Sequence, residues 1–313
     1  MVRALLPGAN GQAAQGAHEE PAMAAGHAPV EHGGEQSLGE MIMHHVVDAR
    51  EIELPWGAVW ELPHWEPIQV AGLTIDLSPT KHVVFMLMGA IVLAVLMIWT
   101  AKRTHGKDPH RAPGGIANVI EAFVIYIRDE VALKNIGHGG ERFVPYVLTL
   151  FFFILFANLL GLLPWGATAT ANLSVTAALA ILSLIVIEVS GFMALGARQY
   201  AKTIFFVPEG MGPVGSALML VVMTPVELLG KLAKPFALAI RLFANMNSGH
   251  FVILSLIGLI FVAAPIAGWV LPIIAPVVMA VAIMLLEIFV GFLQAYIFAM
   301  LTAVFIGLIR HAH

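Results

Sequence analysis

Ionisable side chains inside long apolar stretches are the residues of this sequence with the clearest potential for chemistry. Three stretches, at 173–195, 213–262 and 269–309, together contain seven such groups. These groups are Glu188, Glu227, Lys231, Lys234, Arg241, His250 and Glu287. An Arg, Lys or Asp at the centre of a membrane helix costs about 2.5–3.5 kcal/mol to insert. Groups retained at that cost typically line an ion pathway, so these residues are candidates for ion transport.

Arg241 is the strongest candidate because apolar residues flank it for a full helical turn on both sides, in LALAIRLFANM. Its guanidinium remains protonated at any physiological pH. It can therefore attract a carboxylate of a partner protein, and it can block the direct passage of a proton. The alternative interpretation is an arginine that extends its charged end to a nearby membrane interface.

Helical spacing organises the polar residues around Arg241. Glu227, Lys234, Arg241 and Asn245 are separated by 7, 7 and 4 residues, so they share one face of a helix. His250 points to the opposite face and lies about 13 Å beyond Arg241, whereas Glu227 lies about 21 Å away in the other direction. Polar groups on both sides of one fixed cation are the layout expected of two offset aqueous half-paths.

The last apolar stretch contributes Glu287 and Gln294, which are seven residues apart and share a face. Glu287 is a candidate partner for His250, and the two could exchange a proton near neutral pH. Glu188 could join them from the preceding span. The alternatives are a structural hydrogen bond for Glu188 and an ordinary polar contact between helices for Gln294.

The composition excludes several functional classes. Hydrophobic residues make up 59% of the 313 positions and charged residues 12%, whereas soluble chains average about 45–50% and about 25%. No basic stripe interleaved with aromatic residues is present, so we predict no nucleic-acid partner. There are no cysteines, and the spacings of the N-terminal histidines fit no standard ligand motif. We therefore expect neither a metal site nor a cofactor.

The long apolar stretches predict an all-α, polytopic membrane protein. About 20 apolar residues cross roughly 30 Å of hydrocarbon in a helix. We expect five membrane helices, at 82–101, 143–164, 173–195, 213–262 and 269–309. The last two would be about 75 and about 60 Å long, too long to stand upright. We therefore predict that they form a steeply tilted hairpin.

Other segments complete the predicted membrane domain of residues 41–313. Within residues 116–134, apolar side chains recur at helical spacing. This pattern predicts one amphipathic helix on the membrane surface. Residues 42–81 contain four prolines and three tryptophans, as expected for a loop at the membrane interface. Residues 1–40 lack apolar periodicity and are predicted to form a disordered tail.

Basic residues predict the orientation of the chain, because cytoplasmic loops are enriched in Lys and Arg. The loop at 102–111 carries four such residues, and the segment after 173–195 carries Arg198 and Lys202. Both loops are therefore expected on the cytoplasmic side. This predicts an N-terminus outside and a C-terminus inside.

Two long segments resemble subunit a of F-type ATP synthases. They are TPVELLGKLAKPFALAIRLFANMNSG at 224–249 and LLEIFVGFLQAYIFAMLTAVFI at 285–306. FANLLGLLP at 156–164 and ATANLSVTAAL at 169–179 are also similar to that family, and MIMHHVVD near the N-terminus is more weakly so. The resemblance covers about residues 41–309.

The resemblance implies a stator subunit, without catalysis of its own, in the bacterial plasma membrane. The implied partners are a rotating ring of c subunits, the peripheral-stalk b subunits and the rest of the synthase. Arg241 matches the family's essential arginine, Asn245 and Gln294 match polar residues near it, and Glu227 matches an acidic position toward the cytoplasm. His250 and Glu287 match a pair that the family carries in either order.

The implied mechanism passes a proton from outside, by way of His250, Glu287 and Glu188, to a carboxylate of the ring. After nearly a full turn, the carboxylate releases the proton near Glu227, while Arg241 keeps the two paths apart. ATP chemistry is expected on other subunits, because no GxxxxGK[ST] run is present. The alternative is a stand-alone ion-coupled secondary transporter, which typically shows internal repeats that we do not find in the sequence.

Overall fold

The computed structural model describes most of the predicted membrane domain. The described residues are 51–53, 59–65, 68–70, 73–75, 78–104, 114–163, 166–205, 212–267 and 270–311. The predicted tail at 1–40 and the MIMHHVVD run lie outside them, so these two interpretations stay predictions.

Six helices longer than ten residues form the described part of the chain. They are α1 Lys81–Thr104, α2 Ile116–Tyr126, α3 Val144–Gly161, α4 Leu173–Ile204, α5 Pro213–Ala267 and α6 Val270–Arg310. Five of these, all except α2, are long and apolar enough to cross a membrane. The prediction of an all-α, polytopic membrane fold is therefore confirmed.

α5 is longer than its predicted segment, α6 has the predicted length, and the two helices pack against each other. α5 has 55 residues and α6 has 41, which gives lengths of about 83 and about 62 Å. Pro225 and Pro235 lie within α5 without ending it. Both helices exceed the roughly 30 Å of a hydrocarbon layer, so neither fits upright within it.

α2 belongs to a longer helical segment whose period changes along its length. It passes into a π-helix at Ile127–Leu133 and ends with the turn Lys134–Ile136. Ile127, Val131 and Ile136 are buried, while the charged side chains of Arg128 and Asp129 are exposed. The sequence indicated an amphipathic helix here, but the π-helix was not predicted.

Two short hairpins precede α1, where the sequence analysis expected only a loop. β1 Glu51–Glu53 pairs antiparallel with β2 Val59–Glu61, and β3 Ile68–Val70 pairs antiparallel with β4 Leu73–Ile75. The expectation of a plain loop was therefore wrong for these residues. Strands of three residues are too short for a period-two pattern to be recognised in sequence.

α6 supplies a face of small side chains to the core. Ala295, Ala299 and Ala303 follow each other at intervals of four and are fully buried. Small residues allow helix backbones to approach closely. Phe151 of α3 and Leu242 of α5 are buried in the same core. α6 thereby fixes α3 and α5 beside it, which positions the polar residues that α5 carries.

Candidate ion pathway

The predicted polar stripe lies along α5. Glu227, Lys234 and Arg241 are exposed, and Asn245 is half-buried. The Asn245 side-chain amide donates a hydrogen bond to Gln294 Oε1 at 3.2 Å, which joins α5 to α6. The stripe is therefore accessible over its first three members and tied to the neighbouring helix at its fourth.

Arg241 is surrounded by exposed apolar side chains. Phe236 and Ile240 on the preceding turn are exposed, whereas Leu242 and Met246 are buried against the other helices. Arg241 has no hydrogen bond or ion pair with any residue that the structure describes. A fixed cation without a partner on an apolar surface can attract an acidic group of another protein.

His250 and Glu287 form a hydrogen-bonded pair between α5 and α6. His250 Nδ1 lies 2.9 Å from Glu287 Oε1, and their side chains are 23% and 3% exposed. A side chain at Gly249 would place its Cβ 2.6 Å from that same Glu287 oxygen. The glycine therefore leaves the space that the carboxylate occupies. The second oxygen, Glu287 Oε2, is buried without a hydrogen-bond partner among the described residues.

The loop before α4 adds a threonine to this pair. Thr168 Oγ1 lies 2.8 Å from His250 Nε2, and His82 Nδ1–H of α1 donates to the Thr168 carbonyl oxygen at 3.0 Å. We call these four residues, His82, Thr168, His250 and Glu287, the histidine cluster. Sequence reasoning missed Thr168 and His82, because a loop threonine and a histidine at the start of a span carry no pattern that singles them out.

Glu188 lies elsewhere, which corrects one expectation from the sequence. It accepts hydrogen bonds from Tyr200 Oη and from Lys231 Nζ, the latter at 3.2 Å. Lys231 precedes His250 by nineteen residues on the same helix, a separation of about 28 Å. Glu188 therefore does not join His250 and Glu287. Its position along a span could be read from sequence, but its partner depended on how α4 packs against α5.

Glu188 instead helps to line a cavity of about 160 Å³ between α4, α5 and α6. Its charged lining residues are Glu188, Glu227, Lys231 and Lys234, and we call it the lysine cavity. Lys231 Nζ lies 4.9 Å from the centre of the Tyr200 ring, and Lys234 Nζ lies 4.9 Å from that of Phe305. Both lysines thus lie against aromatic faces, and Lys231 is also paired with the Glu188 carboxylate.

The histidine cluster and the lysine cavity lie on opposite sides of Arg241 along α5. Glu227 of the cavity precedes Arg241 by fourteen residues, and His250 follows it by nine. These separations correspond to about 21 and about 13 Å. The structure thus brings the predicted site residues together in two groups, with Gln294 beside Asn245 between them.

Comparison with known proteins identifies the family. The model of the ATP synthase A chain family matches residues 83–307. ATP synthase subunit a 2 of Chlorobaculum tepidum is 42% identical over 308 residues, which covers 95% of this chain and 83% of that protein. ATP synthase subunit a of Chloroherpeton thalassium is 46% identical over 269 residues, covering 85% and 75%. The chain belongs to the ATP synthase A chain family.

This membership confirms the resemblance described from the sequence. A member of the ATP synthase A chain family is a non-catalytic stator subunit of the proton-translocating membrane sector, and it works with the rest of the synthase. The alternative of a stand-alone secondary transporter is not supported. The matched range contains every site residue predicted from the sequence, and of the two polar groups around Arg241 only His82 lies outside it, directly before its first residue.

Proposed function

We propose that the histidine cluster and the lysine cavity are the two half-channels of this stator subunit, and that Arg241 separates them. The observation that carries the proposal is their arrangement on α5, with one polar group on each side of an exposed arginine. A proton that could pass straight between the groups would do no work. A permanent positive charge between them opposes that passage.

The histidine cluster receives the proton from outside. His250 is partly accessible and contacts the buried Glu287 carboxyl, so a proton taken up by the imidazole can move to the carboxyl through an existing hydrogen bond. From this pair the proton reaches a carboxylate of the adjacent rotor ring. Asn245 and Gln294, joined across α5 and α6, lie between the pair and Arg241 and line the approach.

The lysine cavity releases the proton to the cytoplasm. Glu227, an exposed lining residue, supplies the acceptor, while Glu188 is held by Lys231 and Tyr200. We therefore assign Glu188 to this release path, in place of the access path expected from the sequence.

The partners in this proposal are the c-subunit ring beside α5, the peripheral-stalk b subunits, and the remaining synthase. The proposed orientation has the N-terminus outside and the C-terminus in the cytoplasm of a bacterial cell. Lys102 and Arg103 end α1, and Arg310 ends α6. Arg310 donates to the carbonyls of His138 and Gly139 after α2. Basic residues in the last turns of α1 and α6 support that orientation, because Lys and Arg are enriched on the cytoplasmic side.

Substitution of Arg241 tests the proposal. In the assembled synthase in membrane vesicles, Arg241→Ala is expected to abolish ATP synthesis driven by an imposed pH gradient, because the ring carboxylate loses its fixed counter-charge. The complex should still assemble. The matched control is Arg128→Ala on the exposed surface of the π-helix, which should retain synthesis. Wild-type synthesis by Arg241→Ala would refute the proposal.

A further inference from the structure

Thr168 connects two histidines from different helices and is 1% exposed. Its hydroxyl oxygen meets His250 Nε2 at 2.8 Å, and its carbonyl accepts from His82 at 3.0 Å. The predicted mechanism uses neither Thr168 nor His82. Their contacts place a hydroxyl group on the one ring nitrogen of His250 that Glu287 does not engage.

We propose that Thr168 is a positioning residue whose hydroxyl switches between donor and acceptor as His250 gains and loses a proton. The inference rests on the proposed access path through His250 and Glu287. It adds to that path a residue that holds the imidazole ring in one orientation through every protonation state that proton transfer requires.

The donors and acceptors that His250 and Glu287 present in each protonation state require such a switch. While Glu287 is ionised it only accepts, so neutral His250 carries its proton on Nδ1 and donates it to Oε1. Nε2 then has a lone pair and accepts from the Thr168 hydroxyl. When a proton binds at Nε2, that nitrogen becomes a donor, and the hydroxyl oxygen must accept from it.

When a proton moves from His250 to Glu287, the Thr168 hydroxyl oxygen remains the acceptor of the hydrogen bond from Nε2. The Nδ1 proton moves along the existing hydrogen bond to Glu287 Oε1, leaving a neutral imidazole with its proton on Nε2 and a neutral carboxyl group. Nε2–H continues to donate to Thr168 Oγ1. One proton has been added at Nε2 and one has moved to the carboxyl, so charge and atoms balance. A hydroxyl can serve as donor or acceptor, whereas an apolar side chain would leave Nε2 unpaired.

The surroundings of Thr168 restrict it to rotation of its hydroxyl. A Cβ at Gly161 would lie 1.8 Å from Thr168 Oγ1, so α3 approaches the threonine as closely as a glycine permits. The hydrogen bond from His82 of α1 holds the backbone of Thr168. A heavy-atom shift is therefore opposed by the contact with α3 and by the hydrogen bond from α1, while a change in the direction of the O–H bond requires no displacement of heavy atoms.

A valine–serine comparison at position 168 separates this role from packing. Thr168→Val keeps the shape and loses the hydroxyl, whereas Thr168→Ser keeps the hydroxyl and loses one methyl. In vesicles containing the assembled synthase, we expect Thr168→Val to slow ATP synthesis by roughly tenfold, as for a buried group that loses its hydrogen-bond partner. Thr168→Ser should stay within about twofold of wild type. The control is Thr302→Val, since Thr302 is equally buried and its hydroxyl, among the described residues, bonds within its own helix to Phe298 O at 2.8 Å.

The outcomes distinguish this inference from the proposed function. Equal loss in the valine and serine variants would overturn it in favour of packing, and wild-type rates in Thr168→Val would overturn it directly. His250→Ala is measured in parallel. If His250→Ala is impaired and Thr168→Val is not, only the inference fails, and if both are normal, the proposed access path fails. Rates are normalised to assembled complex, and Thr168→Ala replaces the valine variant if that variant does not assemble.

Discussion

Lys231 and Arg241 differ in how strongly they can attract an acidic group of another protein, because their surroundings differ. Lys231 is neutralised locally by Glu188 at 3.2 Å, and its ammonium group also lies over Tyr200. Arg241 lacks a partner among the described residues and lies on an exposed apolar surface. An ion pair satisfied within the chain has little attraction left for another protein. The unpaired arginine retains its full attraction for a passing carboxylate, which is why it, and not the lysine, suits the position between two half-channels.

At the residue scale, Glu287→Gln is expected to slow ATP synthesis without disturbing the histidine cluster. The glutamine amide has nearly the same shape and can still hydrogen-bond His250, but it cannot accept a proton for transfer. The measurement is the rate of synthesis by vesicles under an imposed pH gradient. Glu130→Gln is the control, because Glu130 pairs with Lys134 on the exposed side of the surface segment. An unchanged rate in Glu287→Gln would remove Glu287 from the access path.

A break in α4 shapes the lysine cavity. Gly196 has φ 74° and ψ 165°, a backbone conformation outside the helical region. Tyr200 reaches Glu188 from beyond this break, and its ring lies 5.9 Å from that of Phe192. In an unbroken helix, Tyr200 and Glu188 would be about 18 Å apart along the axis, too far for their side chains to meet. The end of α4 therefore turns back at Gly196, which brings Thr203 to the cavity wall.

At the element scale, Gly196→Ala is expected to destabilise the turned-back end of α4. No atom lies within 4 Å of the Cβ that alanine would add, so the strain comes from the positive φ alone. Such a conformation costs a residue other than glycine about 1–3 kcal/mol. Gly114→Ala is the control, since its Cβ also meets open space but its φ is not positive. The measurement is the thermal midpoint of the solubilised complex, which should fall only for Gly196→Ala.

Across the whole described chain, α5 has one face in the core and another that is exposed and apolar. Leu242 and Met246 pack inward, whereas Leu218, Leu229 and Phe236 are exposed. Because the alanine face of α6 packs in the same core as the inner face of α5, the exposed face of α5 is held in a fixed position. A helix with this much exposed apolar surface is expected to face lipid or the apolar wall of another membrane protein.

At the whole-molecule scale, the chain is expected to purify in mild detergent together with a ring of small hairpin proteins. The exposed surface of α5 provides the contact, and Arg241 adds a counter-charge for the ring acids. The measurement is the subunit composition and mass of the purified assembly. Arg241→Ala serves as a comparison and should still copurify, because most of the contact is apolar. A chain that purifies alone and transports ions would favour the stand-alone transporter.

The sequence by itself determined the helices and the stripe on α5. Apolar stretches longer than about 20 residues predict spans, and the intervals between Glu227, Lys234, Arg241 and Asn245 predict a shared face. These relations hold within one helix, where a fixed 100° rotation per residue converts spacing into geometry. The family motifs around Arg241 could also be recognised from the sequence alone, since they are continuous runs of residues.

Only the tertiary structure decided which polar groups from different helices meet. In the structure, Glu188 pairs with Lys231 instead of His250, and Thr168 and His82 belong to the histidine cluster. Contacts of this kind depend on helix crossings and on the turn at Gly196, which no periodicity along the chain encodes. The physical reason is that spacing within a helix is set by backbone geometry, whereas contacts between helices are set by side-chain packing over the whole membrane domain.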